Sequence, residues 1–453
     1  MPLATRTETS IDLTQILDRM VELGGSDLLL KVANHPLVRV RGDLQTVSED
    51  NAPLLPWQTE HLLYNMLSTG RIKEFETYGE IDFAYSAPGI ARFRVSAYKQ
   101  RGSVSIVMRV VPPAPGSIGS LGLPEVLNGL AEKERGLVLV TGGTGSGKST
   151  TLAAMVSHIN DIAPKHIITI EDPIEYLHRD RRSAIDQREV GSDTESFGNA
   201  LRRALRQDPD VILIGEMRDE ETVRTALAAA ETGHLVLSTL HTLDAGETIN
   251  RIIDFFQPHE HQHVRAMLAG TLQGIVSQRL APTAGGDGRV AICEVLTMTG
   301  RVRDTILDSE GDLDLRDIIS EGEYYGMQTF DQALYQAMIA GKIDMDTALR
   351  VSSHPHDLKL LISAAGSLST SMDHLDDQVR MAEAQDPQSA GAPPRSASPD
   401  DGTRGDVIPD DVSAEDPTPD AETLNGGGMD VAEPRPSVAP PFAGSFASSP
   451  QVG

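Results

Sequence analysis

Cysteine is almost missing: Cys293 stands alone among 453 residues. A lone thiol excludes an intrachain disulfide and any four-cysteine zinc site, and it suits a reducing compartment, so the cytoplasm is the expected location. Long apolar runs are missing too. The amino-terminal "MPLATRTETSIDLTQILDRMVELGG" has no long apolar core, and nowhere do about 18 uninterrupted apolar residues occur, so neither a signal peptide nor a membrane span is expected. Basic residues are scarce, 39 against 66 acidic ones, for a formal charge of −27. Such a chain does not suit a partner held by neutralising phosphates along a polymer, which argues against nucleic acid. Any work at a membrane has to go through partner proteins.

The chain exceeds the roughly 100–200 residues typical of one domain, so two folded domains are expected. Residues 1–112 read as a small α+β domain. It opens on "IDLTQILDRMVELGG", whose Ile11, Leu13, Ile16, Leu17 and Met20 recur at helical spacing. Strand candidates follow in "DLLLKV", "LVRVRG", "IDFAYSA", "ARFRVSAYKQ" and "VSIVMRVV". The stretch "PPAPGSIGSLGLP" has no periodicity and reads as a linker over 113–120. From 121 to 367 the apolar runs "GLVLVTG", "HIITIED", "DVILIGE" and "HLVLSTLH" alternate with helical patterns, the signature of an α/β fold with a parallel sheet. Ser192 and Glu195 have capping-box spacing ahead of a helical face made by Phe197, Leu201 and Leu205. "DEETVRTALAAAETGH" reads as a helix with Gly233 just past its end. From 368 to 453 the pattern dissolves. Residues 371–453 hold 16 acidic and four basic side chains and 12 of the 27 prolines, too little apolar surface to offset chain entropy, so a disordered acidic tail is expected.

"GGTGSGKSTT", residues 142–151, fits G-x-x-x-x-G-K-[ST] through Gly142, Gly147, Lys148 and Ser149. Small residues let successive backbone N–H groups converge on phosphate oxygens. Lys148 neutralises charge, and the Ser149 hydroxyl can reach Mg²⁺. The loop follows an apolar strand and opens the helical "STTLAAMVSHI", the context that separates the motif from a flexible glycine turn. Gly142, Gly143, Thr144, Gly145, Ser146, Gly147, Lys148, Ser149 and Thr150 are thus the expected cradle of a nucleoside triphosphate with magnesium.

Hydrolysis needs a carboxylate to orient or deprotonate water, and ligands of such sheets gather at the carboxyl ends of strands. Two acidic spots lie there: "ITIEDPIEYLH", with Glu171, Asp172 and Glu175, and "VILIGEMRDEET", with Glu216. Glu216 is the candidate water-polarising base and Glu171 the group near magnesium or its waters. The alternative is that such acids cap the next helices, a reading open above all for Asp172, Asp219 and Glu175. Gly215 stands where phosphate-loop enzymes ordinarily end this strand in Asp, so another acid has to serve the metal. "TGHLVLSTLHT" carries His234 and His241. His241 can reach a terminal phosphate, whereas His234 can equally be a structural residue after the helix end.

Together these stretches resemble the ATPases of type II and type IV secretion systems, and within them the type IV pilus retraction motors of PilT and PilU type. The resemblance spans about residues 10–365 and includes "GMQTFDQAL", 326–334. It implies a homohexameric ring whose subunits combine a PAS-like amino-terminal domain with a RecA-like carboxyl-terminal domain, with ATP and Mg²⁺ between them. It makes Glu216 the Walker B glutamate, Glu171 the acid of the Asp box, and His234 and His241 the pair of the His box. It also assigns Arg94 and Arg109, in "RVSAYKQRGSVSIVMR", as arginines brought to the phosphates when the ring closes. The implied partners are an inner-membrane platform protein of the pilus machinery and a paralogous pilus ATPase, with the protein peripheral at the inner face of the membrane. Extension and secretion members usually carry a four-cysteine zinc site, which this chain cannot build, so retraction is favoured. "RVRDTILD", 301–308, stands where retraction motors carry a sequence close to AIRNLIRE; it keeps Arg303 and Ile306 and departs elsewhere. An accessory nucleotide-binding ring subunit, or an assembly or secretion ATPase, is the alternative. A helicase is disfavoured by the negative charge, and no acceptor motif supports a small-molecule kinase.

Overall fold

The computed structural model describes residues 12–47, 52–308 and 314–363. Ile11 and the acidic tail expected from 368 lie outside the described residues. The amino-terminal part runs α1 (Leu13–Glu22), β1 (Asp27–Lys31), β2 (Leu37–Val40), β3 (Asp43–Thr46), α2 (Pro56–Met66), α3 (Thr69–Tyr78), β4 (Glu80–Ala87), β5 (Ala91–Gln100) and β6 (Ser103–Val111). Helix α1 starts where the Asp12 side chain accepts from Thr14 N, and it buries Ile16, Leu17 and Met20, the stripe expected from their spacing. The six strands form one antiparallel sheet in the order β3-β2-β1-β6-β5-β4. Period-2 alternation sends Phe93, Val95 and Ala97 of β5 and Val104, Ile106 and Met108 of β6 into the core. The same alternation leaves Arg94 and Arg109 on the other face.

The second part runs α4 (Val126–Ala131), β7 (Gly136–Thr141), α5 (Lys148–Ile162), β8 (His166–Glu171), β9 (Ala184–Glu189), α6 (Phe197–Ala204), β10 (Val211–Ile214), α7 (Glu220–Glu231), β11 (Leu235–Leu240), α8 (Ala245–Asp254), α9 (His261–Thr271), β12 (Leu272–Pro282), β13 (Arg289–Thr297), α10 (Gly300–Leu307), α11 (Leu315–Ser320), α12 (Phe330–Ile339) and α13 (Met345–Val351). Its sheet has the order β13-β12-β7-β11-β10-β8-β9, parallel throughout except for the β12–β13 pair. This is the helix-covered parallel sheet expected from the alternating runs. Strand β7 is buried at every position because both faces are covered. Leu137 and Leu139 face a core shared with α6, α7, α8 and α9, while Val138 and Val140 face one shared with α4 and α5.

Helix α7 begins at Asp219, whose side chain accepts from Thr222 N, and Gly233 follows its end with φ +117°, as expected. Helix α6 corrects the sequence reading. Its cap is Ser196, whose Oγ accepts from Asn199 N at 3.2 Å, while Ser192 donates to Glu189 Oε1 at 3.3 Å. Residues 189–194 are committed to a turn, closed by Gly191 N bonding Thr194 O at 2.7 Å, so the helix starts later than the Ser192–Glu195 spacing indicates. Within the stretch read as a linker, Ala114 N donates to Leu177 O at 2.9 Å, and Ile118 is buried.

Glu294 on β13 is buried, and Ala245 N at the start of α8 donates to its Oε1 at 2.9 Å. Burial pushes its carboxyl up from the ordinary 4.5 to about 7; the bond from Ala245 opposes this and the charge of Asp244 reinforces it. The folded protein therefore holds a proton here that the unfolded chain has released. This group's stabilising contribution is complete below about pH 4.5 and is lost as the pH rises toward 7, by on the order of 3 kcal/mol. Glu294→Gln is expected to flatten that decline in urea unfolding measured at pH 5, 6, 7 and 8. An unchanged pH dependence would refute it.

Candidate active site

The loop between β7 and α5 is shaped by a strand far away in sequence. Gly142 has φ +140° and Gly147 φ +95°; a Cβ at Gly142 would lie 2.4 Å from the Gln278 carbonyl oxygen, and one at Gly147 2.7 Å from Gln278 Nε2. Only glycine fits both positions. The buried carboxamide of Gln278, on β12, donates to Ser146 O at 2.8 Å and accepts from Thr151 Oγ1 at 2.7 Å. Sequence reading missed this residue, because nothing in "IVSQRLAP" signals contact with a loop some 130 positions earlier.

Lys148 opens α5, and its Nζ donates to the carbonyls of Gly142 at 2.8 Å and Gly143 at 3.1 Å. Burial lowers its pKa, against the raising charges of Glu216 and Glu175. No side chain caps α5, so the amides of its first turn are left for a ligand, with the positive end of the helix dipole behind them. Thr144, Gly145, Lys148 and Ser149 line a cleft of about 250 Å³ whose opposite wall carries Glu171, Asp172, Glu216, Arg218 and His241.

Glu171 ends β8. Its Oε1 accepts from Thr169 Oγ1 at 2.7 Å and Gln187 Nε2 at 3.1 Å. Burial raises its pKa, and these two bonds oppose the shift. Gln187 also donates to Tyr176 O at 2.8 Å and accepts from His178 N at 2.9 Å, so one amide fixes the whole turn after β8. The Tyr176 and Thr150 hydroxyls share a hydrogen bond of 2.8 Å, joining that turn to the phosphate loop. No helix follows Asp172 or Glu175 before β9, so the capping alternative fails for both; it holds for Asp219. His178, absent from the sequence-derived set, also lines the cleft, and burial pushes its pKa down to about 4, which keeps the ring neutral.

Glu216 follows β10 through Gly215, whose N–H donates to Ile170 O at 2.8 Å. A Cβ at 215 would press on that oxygen at 3.2 Å, a physical reason for glycine where an aspartate is customary. Glu216 Oε2 accepts from Arg218 Nε at 2.8 Å, and its Oε1 lies 3.1 Å from His241 Nε2. Both carboxylate oxygens thus face cations or potential donors at the rim of the cleft. His234 is not brought there. It precedes β11 while His241 follows it, roughly 20 Å along six residues, and its Nδ1 lies 3.0 Å from Ala229 O at the end of α7. Arg94 and Arg109 face each other on β5 and β6, also outside the cleft.

The Ser149 hydroxyl and the Glu171 carboxyl offer hard oxygen donors. Among the described residues no group of three or more His, Cys, Asp or Glu could hold a metal ion. That set fits magnesium arriving with phosphates, which binds through one or two protein oxygens and keeps its waters.

The family of type II/IV secretion system proteins matches residues 85–339. The type IV pilus retraction ATPase PilT of Pseudomonas aeruginosa is 43% identical over 348 residues, 77% of this chain and 100% of that protein. The type IV pilus ATPase PilU of the same organism is 44% identical over 365 residues, 81% of this chain and 94% of that one. The crystal structure of the pilus retraction motor PilT with bound ADP superposes with a TM-score of 0.69 at 44% identity, covering 77% of this chain and 99% of that chain.

Gln278→Ala removes the loop's brace and leaves Thr151 and Ser146 without these partners. Affinity for ADP, measured by calorimetry, is expected to fall about tenfold, the equivalent of one or two hydrogen bonds. Unchanged affinity would show that the loop holds its shape alone.

Proposed function

Because the chain belongs to the type II/IV secretion system protein family, we propose that it is an ATP-hydrolysing motor that powers retraction of type IV pili, working as a homohexameric ring. The observation that carries this reading is the cleft itself: a phosphate loop with Lys148 on one wall, and Glu216 held between Arg218 and His241 on the other.

In this reading the amides of 143–149 and Lys148 bind the β- and γ-phosphates of ATP. Ser149 and Glu171 would hold Mg²⁺, which would supply positive charge against the phosphate oxygens. Glu216 orients and deprotonates the attacking water. His241, with Nε2 3.1 Å from Glu216 Oε1, is placed to exchange that contact for the terminal phosphate. Arg94 and Arg109 lie outside the cleft of their own chain. They would act when ring closure brings an amino-terminal sheet over a nucleotide, the kind of contribution worth ~10³–10⁵ in rate. His234, at the far end of β11, is left to a structural or intersubunit role.

Closure and reopening of interfaces around ATP would move the subunits as rigid bodies and turn a platform protein in the inner membrane. Among the described residues no helix is long and apolar enough to cross a membrane. In this reading the protein sits at the cytoplasmic face through the platform partner. A second reading, an accessory subunit assisting a paralogous motor, is favoured by one observation: "RVRDTILD" keeps only Arg303 and Ile306 of the retraction-motor pattern, with Ile306 buried in α10 and Arg303 exposed.

Glu216→Gln is expected to lower phosphate release by the purified protein about 10²–10⁴-fold while ATP binding persists. Cells carrying it should keep surface pili and lose twitching. A wild type as inactive as the variant would sink the motor reading in favour of the accessory one.

A further inference from the structure

A row of residues crosses the amino-terminal sheet in register. Ala84 on β4 faces Arg94 on β5, Arg94 faces Arg109 on β6, Arg109 faces Asp27 on β1, and Asp27 faces Arg39 on β2. Directly opposed residues project from the same face with Cβ atoms about 4.5–5.5 Å apart, so Arg94 and Arg109 bring two positive side chains to one face of the sheet. Asp27 is the one acid in this row of three arginines.

How Asp27 holds its neighbour matters more than the pairing itself. Its Oδ1 accepts from Arg109 Nε at 2.7 Å and its Oδ2 from Ser26 Oγ at 2.8 Å. Asp27 is 7% exposed, whereas the Arg109 side chain is 70% exposed. Burial works against ionisation of Asp27, but the bonds from Arg109 and Ser26 and the charges of Arg109 and Arg39 outweigh it and hold the carboxyl below its usual range. A guanidinium has five N–H donors in one rigid plane. With Nε occupied, and with no Nη hydrogen bond made among the described residues, the two Nη groups of Arg109 are left for an incoming oxyanion. Arg94 beside it makes no ion pair among the described residues. A lysine at 109 could not be held by one nitrogen and present two others.

We propose that Asp27, steadied by Ser26, is a positioning residue for hydrolysis: it grips Arg109 by Nε and so aims the outer edge of the guanidinium at the phosphates of a nucleotide held by another subunit. The inference rests on the reading of Arg109 as a donor to those phosphates.

Steady-state ATPase assays on the full-length ring test it with Asp27→Ala, Asp27→Asn, Arg109→Ala and the Asp27→Ala/Arg109→Ala double variant, each checked for melting temperature and ring assembly. Arg109→Ala is expected to lower kcat by about 10³-fold. Asp27→Ala should lower kcat roughly tenfold with KM for ATP changed less than about twofold, the pattern of an interaction made only in the transition state. Asp27→Asn, whose amide oxygen still accepts from Nε, should recover part of the loss. The double variant should be no slower than Arg109→Ala, because an aligned guanidinium is all that Asp27 supplies. Multiplying losses in the double variant would mark Asp27 as merely structural and overturn the proposal. So would a kcat that stays level or rises in Asp27→Ala while Arg109→Ala is crippled. An unaffected Arg109→Ala would instead remove the underlying arginine reading, and the proposal with it.

Discussion

The close approach of β12 to the loop after β7 is the constraint on which the cleft depends. Gln278 offers its backbone oxygen to one glycine and its carboxamide to another, leaving no room for a Cβ at either. Lys148 bonds across the loop's own carbonyls. A neutral, buried amide suits this task, because it can donate to Ser146 O and accept from Thr151 at once without adding charge beside the phosphates.

On the opposite wall the problem is electrostatic. Glu171, Asp172, Glu175 and Glu216 crowd one cleft, and an anionic substrate is to enter it. Their mutual repulsion is offset by local partners: Arg218 and His241 on Glu216, Thr169 and Gln187 on Glu171. Each partner leaves its carboxylate able to exchange a protein contact for a cation or a water. Gln187 deserves comparison with Gln278, since both are strand amides that organise a loop on the neighbouring strand.

The amino-terminal sheet touches this machinery through Arg92, whose Nη2 lies 3.2 Å from Glu189 Oε2, and the same oxygen accepts from Ile174 N in the turn after β8. Glu189 stands beside Glu171 in the β8–β9 register. Glu189 thus ties the amino-terminal sheet directly to the turn that carries the acids. The partly buried Arg92–Glu189 pair is also better shielded from salt than a surface pair.

Much was legible in the chain itself. Alternation and helical spacing exposed α1, every strand of the first sheet but β3, and the parallel runs of the second, because burial of one face or both writes its period into the residues. The Gly-rich loop, Glu171, Glu216 and His241 were singled out because each follows an apolar run at its carboxyl end, and the structure brings them to one cleft. The exposed polar strand β3 carried no such imprint, and neither did α2 and α3, of whose apolar residues only Leu62, Leu63 and Phe75 are buried. The helix start at Ser196 was obscured by a turn whose closure depends on backbone geometry. What the sequence by itself determined is the chemistry on offer: a glycine-rich loop with one lysine, and acids at the ends of two strands. Only the tertiary structure decided which groups meet, separating His234 from His241 by the length of a strand and giving Gln278, Gln187 and Asp27 their partners, because pairing register and strand order bring together residues that no local pattern relates.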